Sequence, residues 1–350
     1  MAILEQYSFA AHRNIYDREE TSNYETRHIR TEISIPDCVN KDTGMLILVP
    51  GYGGNIDSHV YKKIRKNLAD QYNLIIIQCD YFGNCCMAET FPAELNKVLD
   101  NIVKADIIYR EDLHETVKEF NDMGFMQALD IVSSTLCSIE VINKKGYTFN
   151  SNRVYIFGPS HGAYLAYLAN AMCPGLYSAL IDVSAYLSPY YMFNSRITLT
   201  SFNSGSIQVR VVREYLIKNY EQMRYNEKLY SLPFLYKNRK NMCKIIAMQG
   251  TEDWMVDAEE KKNFISNIDY SDVLMITTED VDGILCKNAE HGLGIDFFEL
   301  FKIIIPVLDE GVREQKQYID LPQKVKVGDD ETHIIISYES GLPEILELTW

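Results

Sequence analysis

Residues 153–172 read RVYIFGPSHGAYLAYLANAM, and the interpretation of this stretch decides the fold. RVYIF combines β-branched and aromatic residues in the manner of a strand, while AYLAYLANAM is built from strong helix formers. Between them stands Gly158-Pro159-Ser160-His161-Gly162. A strand that becomes a helix within five residues puts Ser160 on a sharp corner. Such a G-x-S-x-G turn lifts the serine hydroxyl above the end of a sheet, and the following helix N-terminus favours developing negative charge. A glycine-lined turn with an inert serine is the rival reading, so the nucleophile reading requires an acid and a base elsewhere in the chain.

Working outward, further apolar runs predict strands at 45–50 (MLILVP), 73–79 (NLIIIQC), 178–184 (SALIDVS), 243–249 (CKIIAMQ) and 272–278 (DVLMITT). Continuous rather than alternating apolar character is what strands covered on both faces require. RTEISIP at 30–36 alternates like an edge strand leading into the sheet. The stretch 122–140 carries Phe125, Leu129, Val132, Leu136 and Ile139 at helical spacing, with Asp122 as its N-cap. A second apolar stripe, Phe297, Phe301, Ile304, Ile305 and Leu308, predicts a last helix that Pro306 kinks or closes. The expected fold class is α/β, a mostly parallel sheet with helices on both faces.

Two segments exceed what connecting these elements needs, at about 84–120 and 185–240, and both read as insertions in one domain over 1–310. The second holds eight tyrosines and is the expected cap over the serine, although such tyrosines commonly pack the cap itself. Residues 311–350 form an extension whose KVKVGDDETHIIISYES predicts a β-hairpin turning at Gly328.

In a serine nucleophile fold of this kind the chain order is Ser, acid, His. CKIIAMQ runs into GTEDWMVD, which offers Asp253 as the acid, with Glu252 and Asp257 as competitors. KNAEHGLGIDFFELF places His291 in a loop before the last helix, where the base belongs. His161 adjoins Ser160, but consecutive residues on a sharp corner diverge, so its ring is not expected to take the Ser160 proton. Its backbone N–H is instead the first oxyanion donor, and the glycine-rich Pro50-Gly51-Tyr52-Gly53-Gly54-Asn55 supplies the second through Tyr52, helped by Gly53. The same loop lacks the Lys-Ser or Lys-Thr of a phosphate cradle.

Composition narrows the partners. A formal charge of −15 over 350 residues disfavours nucleic acid. The amino terminus has no basic start followed by an apolar core, and no uncharged stretch reaches the length of a membrane span. The expectation is a cytoplasmic protein without a membrane span. Eight scattered cysteines without a C-x-x-C pair read as buried thiols in a reducing compartment, and no cofactor or metal is expected.

With GPSHGAYLA, GTEDWMV and AEHGLGID in order behind VPGYGGN, the chain resembles the α/β-hydrolase superfamily over roughly residues 30–310. PGYGGN, IRKNLADQYNLIIIQCDYF, DMGFMQALDIVSS and EHGLGID resemble more narrowly the bacterial family called domain of unknown function 2920. The resemblance implies Ser160 as nucleophile, Asp253 as acid and His291 as base. Members of that family are often encoded near genes for flagellar or surface-glycan sugars, which implies a small acylated substrate, carbohydrate in character. The elbow departs from the family in His161 and Ala163. The expected activity is that of a serine hydrolase of carboxylic-ester type. An acyltransferase using the same triad, and a non-catalytic binding or assembly protein on the same fold, are the alternatives.

Overall fold

The apolar runs inside the sheet become strands whose two faces feed two separate cores, whereas the run at 272–278 forms the last strand of the sheet order and leaves Leu274 exposed. In β3 (Gly44–Leu48), Met45 and Ile47 join one core while Leu46 and Leu48 join the other. In β4 (Leu74–Cys79), Ile75 and Ile77 oppose Leu74 and Ile76 in the same way, and in β6 (Val154–Pro159), Val154 and Ile156 oppose Tyr155 and Phe157. Each such side chain, fully removed from water, contributes roughly 1.5–3 kcal/mol. The computed structural model describes residues 1–16, 27–87, 104–113, 115–116, 119–189, 197–204, 207–215, 226–237, 239–312, 316 and 318–349.

The main sheet has eight strands in the order β1-β2-β4-β3-β6-β7-β10-β11. Here β1 is Ile3–Ala10, β2 His28–Ile35, β7 Ala179–Val183, β10 Lys244–Gly250 and β11 Ser271–Ile276. From β4 to β11 all pairings are parallel, whereas β2 runs antiparallel to β4 and β1 antiparallel to β2. The 30–36 segment is therefore not the edge. Strand β1 lies outside it, its Glu5, Tyr7 and Phe9 half-buried, a pattern that the acidic Glu5 hides from a hydrophobicity reading.

Helix α1 (His59–Tyr72), which links β3 to β4, packs with the carboxyl-terminal helix in one core. Helices α2 (Phe125–Lys144) and α3 (His161–Met172) pack in the other. The chain thus leaves β3 in one direction along the sheet and returns to β6 on its other side. Order reversal of this kind opens a crevice at the carboxyl ends of the two strands, where ligands bind in open α/β sheets. Both the glycine-rich loop after β3 and the Ser160 turn after β6 lie at that reversal.

Helix α2 begins at Phe125, three residues after Asp122, because Met123 takes a left-handed conformation with φ 52°. Gly124, not Asp122, is the N-cap residue, yet the Asp122 carboxylate still accepts from the N–H groups of Gly124 and Met126. Although α2 is long and apolar enough to cross a membrane, it is mostly buried within the protein, as a core helix is. Among the described residues the remaining helices are α4 (Leu232–Tyr236), α5 (Ala258–Ser266) and α6 (Phe297–Glu310). Pro306 does not close α6, which continues four residues beyond it to Glu310.

The two insertions share a sheet. Strand β5 (Ala105–Leu113) from the first pairs in parallel with β9 (Ile207–Tyr215) from the second, and β8 (Ile197–Ser204) completes it antiparallel to β9. Of the eight tyrosines, Tyr190, Tyr191, Tyr220 and Tyr225 lie outside the described residues. Tyr186, Tyr230 and Tyr236 are buried in the core around α3, so they pack the domain rather than line an open cap. At the carboxyl end, β12 (Lys324–Gly328) and β13 (His333–Ser337) form the expected hairpin, to which β14 (Glu344–Thr349) adds a third strand. Its Val325, Val327, Ile334 and Ile336 join the core of α3, and the Tyr338 hydroxyl donates to Met172 O at the end of that helix. The cysteines are free; Cys38 and Cys85 are exposed rather than buried.

Candidate active site

The turn between β6 and α3 forces Ser160 to φ 51° and ψ −118°, a backbone region that residues with a side chain rarely occupy. Two glycines make the turn sterically possible. A Cβ on Gly158 would stand 2.2 Å from Gly162 C, and a Cβ on Gly162 would stand 2.2 Å from Val49 O and 2.7 Å from Pro50 O. Gly158 lets the helix fold back on its strand, and Gly162 lets the first turn of α3 touch the loop after β3. The Ser160 N–H donates to Val183 O at 2.7 Å, which fixes the corner to the end of β7.

Ser160 Oγ lies 2.7 Å from His291 Nε2. On the far side of that ring, His291 Nδ1 lies 2.9 Å from Asp253 Oδ2 and 3.1 Å from Oδ1. The Asp253 side chain is fully buried, while His291 keeps 15% of its side-chain surface. Burial pushes the Asp253 carboxyl up, but hydrogen bonds from His291, Gln249 and the Met255 N–H outweigh it and hold the group below its ordinary value. An ionised Asp253 accepts a hydrogen bond from the Nδ1–H and leaves the Nε2 lone pair facing the serine hydroxyl.

The loops carrying the acid and the base are joined. A Cβ on Gly250 would stand 2.1 Å from Ala289 O, and the Glu252 N–H donates to the same carbonyl at 2.9 Å. Three consecutive left-handed residues, Gly292, Leu293 and Gly294, then turn the chain sharply after His291. Of the competing acids, Asp257 is occupied as the N-cap of α5, accepting from Glu260 N at 2.8 Å. Glu252 is exposed.

The His161 ring is fully buried and both its nitrogens are engaged away from the serine. Nε2 lies 2.7 Å from Gln127 Oε1, and Nδ1 meets the Tyr186 hydroxyl. Gln127 spends its own N–H groups on Phe82 O and Asn121 Oδ1, so Nε2 carries the imidazole proton and Nδ1 accepts from Tyr186. Burial pushes this histidine down to about 3, which keeps it neutral. Gln127 and Tyr186 carry no local sequence signal for this role, since both sit in stretches that read as core.

The glycine-rich loop is held from several sides. The Gly51 N–H donates to the Tyr61 hydroxyl, the Tyr81 hydroxyl to Pro50 O, and Asn84 Nδ2 to Gly54 O. The Gly54 N–H closes a turn onto Gly51 O at 2.9 Å, with Gly53 at φ 73° in the place where such a turn needs a left-handed residue. Tyr52, at the centre of the turn, has its ring 6.1 Å from that of His161. The loop carrying Tyr52 and Gly53 is thereby held against the amino end of α3, where Gly162 meets Val49 O and Pro50 O. Among the described residues no group of three His, Cys, Asp or Glu side chains gathers as a metal site.

Comparison with solved structures places this architecture among α/β-hydrolases. An acylaminoacyl peptidase from Pyrococcus horikoshii matches with a TM-score of 0.53 at 12% identity, over 91% of this chain and 43% of that one. A putative dipeptidyl aminopeptidase IV from Bacteroides ovatus matches with a TM-score of 0.52 at 12% identity, over 89% of this chain and 36% of that one. This chain therefore spans less than half the length of either peptidase. Est1E from Butyrivibrio proteoclasticus, solved with ferulic acid bound, matches at 13% identity over 82% of this chain and 95% of that one, with a TM-score of 0.45. Comparison with curated proteins yields no sequence match. The fold is that of an α/β-hydrolase. The family model described as protein of unknown function (DUF2920) matches residues 87–326, more than half of the chain and including Ser160, Asp253 and His291, and the chain belongs to that family.

Proposed function

We propose that this protein is a serine hydrolase of the carboxylic-ester type, with Ser160 as nucleophile, His291 as general base and Asp253 as the carboxylate that orients it. The observation that carries the reading is the continuous hydrogen-bonded line from Ser160 Oγ through both ring nitrogens of His291 to the buried Asp253. Ser160 Oγ attacks the acyl carbonyl carbon while its proton passes to His291 Nε2; the same proton then leaves with the alcohol as the C–O bond breaks. Water repeats the sequence on the acyl-enzyme and regenerates the hydroxyl. The backbone amides of His161 and Tyr52, with Gly53 shaping the turn, serve as the oxyanion donors. A small acylated carbohydrate is the substrate class we propose, on the family resemblance.

A fluorophosphonate probe tests the reading directly. Covalent labelling located at Ser160 by peptide mass, lost in Ser160→Ala and accompanied by release of acetate from an O-acetylated sugar, is the expected result. Failure of the wild-type protein to label assigns the fold to a binding role instead, and labelling that survives Ser160→Ala removes Ser160 as the nucleophile.

A further inference from the structure

The loops that carry Ser160 and His291, and the helix that follows the Asp253 loop, meet at one corner that the proposed chemistry does not use. It lies at the carboxyl end of β7, over Asp182 to Ala185. Val183 O accepts the Ser160 N–H at 2.7 Å, which ties down the nucleophile. One residue later, Ser184 Oγ accepts the Gly292 N–H at 3.0 Å, which ties down the residue next to His291. Adjacent residues of a single segment therefore set the positions of both partners in the Ser160–His291 hydrogen bond.

The corner is itself locked. Asp182 and Lys261 are both fully buried, with Lys261 Nζ 2.6 Å from Asp182 Oδ2. The same Asp182 carboxylate accepts from the Ala185 N–H at 2.8 Å and from the Tyr167 hydroxyl of α3 at 2.9 Å. Lys261, on the helix that follows the Asp253 loop, also donates to Ala185 O at 2.7 Å. A buried ion pair is tolerated when its remaining donors and acceptors are satisfied in this way, and it then resists displacement. Within the locked turn Ser184 is fully buried and left-handed, φ 58°, although it bears a side chain. A strained residue held by its surroundings, with its hydroxyl on the base loop, is the pattern of a positioning group.

We infer that the Asp182–Ala185 corner is a clamp, and that Ser184 is the positioning residue through which it holds the His291 loop at hydrogen-bond distance from Ser160. This inference rests on the hydrolase reading given above. Ser184→Gly tests it cleanly, because glycine takes a positive φ without strain while the hydroxyl is deleted. With p-nitrophenyl acetate as probe, the clamp predicts a fall in kcat of about tenfold, since misplacement of a base acts on the transition state. KM stays within about twofold, the rate of fluorophosphonate labelling falls with kcat, and the melting temperature does not drop. If glycine loosens the fold, Ser184→Ala, which keeps the Cβ, carries the same kinetic test.

Wild-type kcat and labelling rate in a folded Ser184 variant would overturn the clamp, as would a raised KM at unchanged kcat. Those results leave the hydrolase reading standing if the wild-type protein labels at Ser160. Absence of wild-type labelling overturns both.

Discussion

Replacement of Asp253 by Asn removes one charge and adds two N–H donors at a carboxylate whose partners are all donors. Oδ1 accepts from the N–H groups of Met255 at 2.8 Å and Val256 at 3.1 Å. Oδ2 accepts from Gln249 Nε2 at 2.8 Å and from His291 Nδ1 at 2.9 Å. If the new amide nitrogen took the Oδ1 position, two backbone donors would lose their acceptor, at about 1–3 kcal/mol each. The nitrogen therefore takes the Oδ2 position, and the environment there can adapt. Gln249 Oε1 is buried without a hydrogen-bond partner, so a flip of the Gln249 amide turns that oxygen toward the new donor. The flip sacrifices the 3.2 Å bond from Gln249 Nε2 to Gly250 O and carries that nitrogen into the buried position where Oε1 had no partner.

The other new N–H then faces His291 Nδ1, which must become an acceptor. The imidazole proton moves to Nε2, and Ser160 Oγ meets a donor where it needs a base. The expected outcome of Asp253→Asn is a folded protein, destabilised by about 1–3 kcal/mol, that loses on the order of 10⁴-fold in kcat, the scale this tautomer switch carries in Ser-His-Asp triads. Initial rates on p-nitrophenyl acetate, fluorophosphonate labelling and thermal unfolding measure the three quantities. Retention of kcat within tenfold of wild type would refute the assignment of Asp253. The companion substitutions Glu252→Gln and Asp257→Asn leave kcat unchanged, because neither carboxylate reaches the base.

Gly162→Ala places a methyl group against the carbonyls of Val49 and Pro50, which are backbone and cannot yield. Overpacking of this kind costs about 1–3 kcal/mol, and because it pushes the Tyr52 loop off the elbow, ester turnover falls more steeply than stability in urea titrations. Acid stability should show two buried groups of opposite sign. His161, depressed to about 3, takes up protons on unfolding, so its contribution is present above pH 6.5 and declines as pH falls toward 3. Asp122, raised to about 6 by burial, binds its proton first in the folded state, so stability gains as pH falls from 6 toward 4. Each amounts to about 3 kcal/mol by pH 4.5 or 4 at ~1.4 kcal/mol per pKa unit. His161→Gln is therefore expected to gain stability relative to wild type on acidification, and Asp122→Asn to lose it; parallel pH profiles for the three proteins would contradict both burial arguments.

The parts of the fold that were legible in the sequence are those written locally. The elbow is twenty consecutive residues, and the central strands announce themselves because Leu46 and Ile47, or Ile76 and Ile77, are both buried on opposite faces. Asp253 and His291 sit in loops at the ends of such elements, so chain order was enough to bring them forward as candidates, with Glu252 and Asp257 still beside Asp253. What holds them was not legible. Ser184 and Lys261 look like core or surface residues until β7 and α5 are folded together, and Gln127 reaches His161 across 34 positions. The pairing of β5 with β9 joins segments about a hundred residues apart, and no local pattern reports it. Strand β1 went unread because an edge strand buries only alternate residues, one of which is the acidic Glu5.

The rival reading of the elbow, a turn with an inert serine, must account for three costs borne around one residue. Ser160 adopts a strained backbone that glycine would occupy freely, and non-glycine residues in such regions cost of order 1–3 kcal/mol. The strain is not relieved by a cap bond, since the Ser160 side chain makes none to the helix it precedes. Its hydroxyl instead points at His291, whose loop is held by Ser184 and whose second nitrogen is held by a carboxylate kept ionised in a buried position. A merely structural turn would be served better by glycine at 160, and it would leave the expense of a buried Asp253 without a counterpart. Gly158 and Gly162 fit the same argument, because one admits the helix onto its strand and the other admits the Tyr52 loop onto the helix. Strain, buried charge and close backbone approach all converge around the Ser160 hydroxyl, and together they support the proposed role of that hydroxyl as the nucleophile.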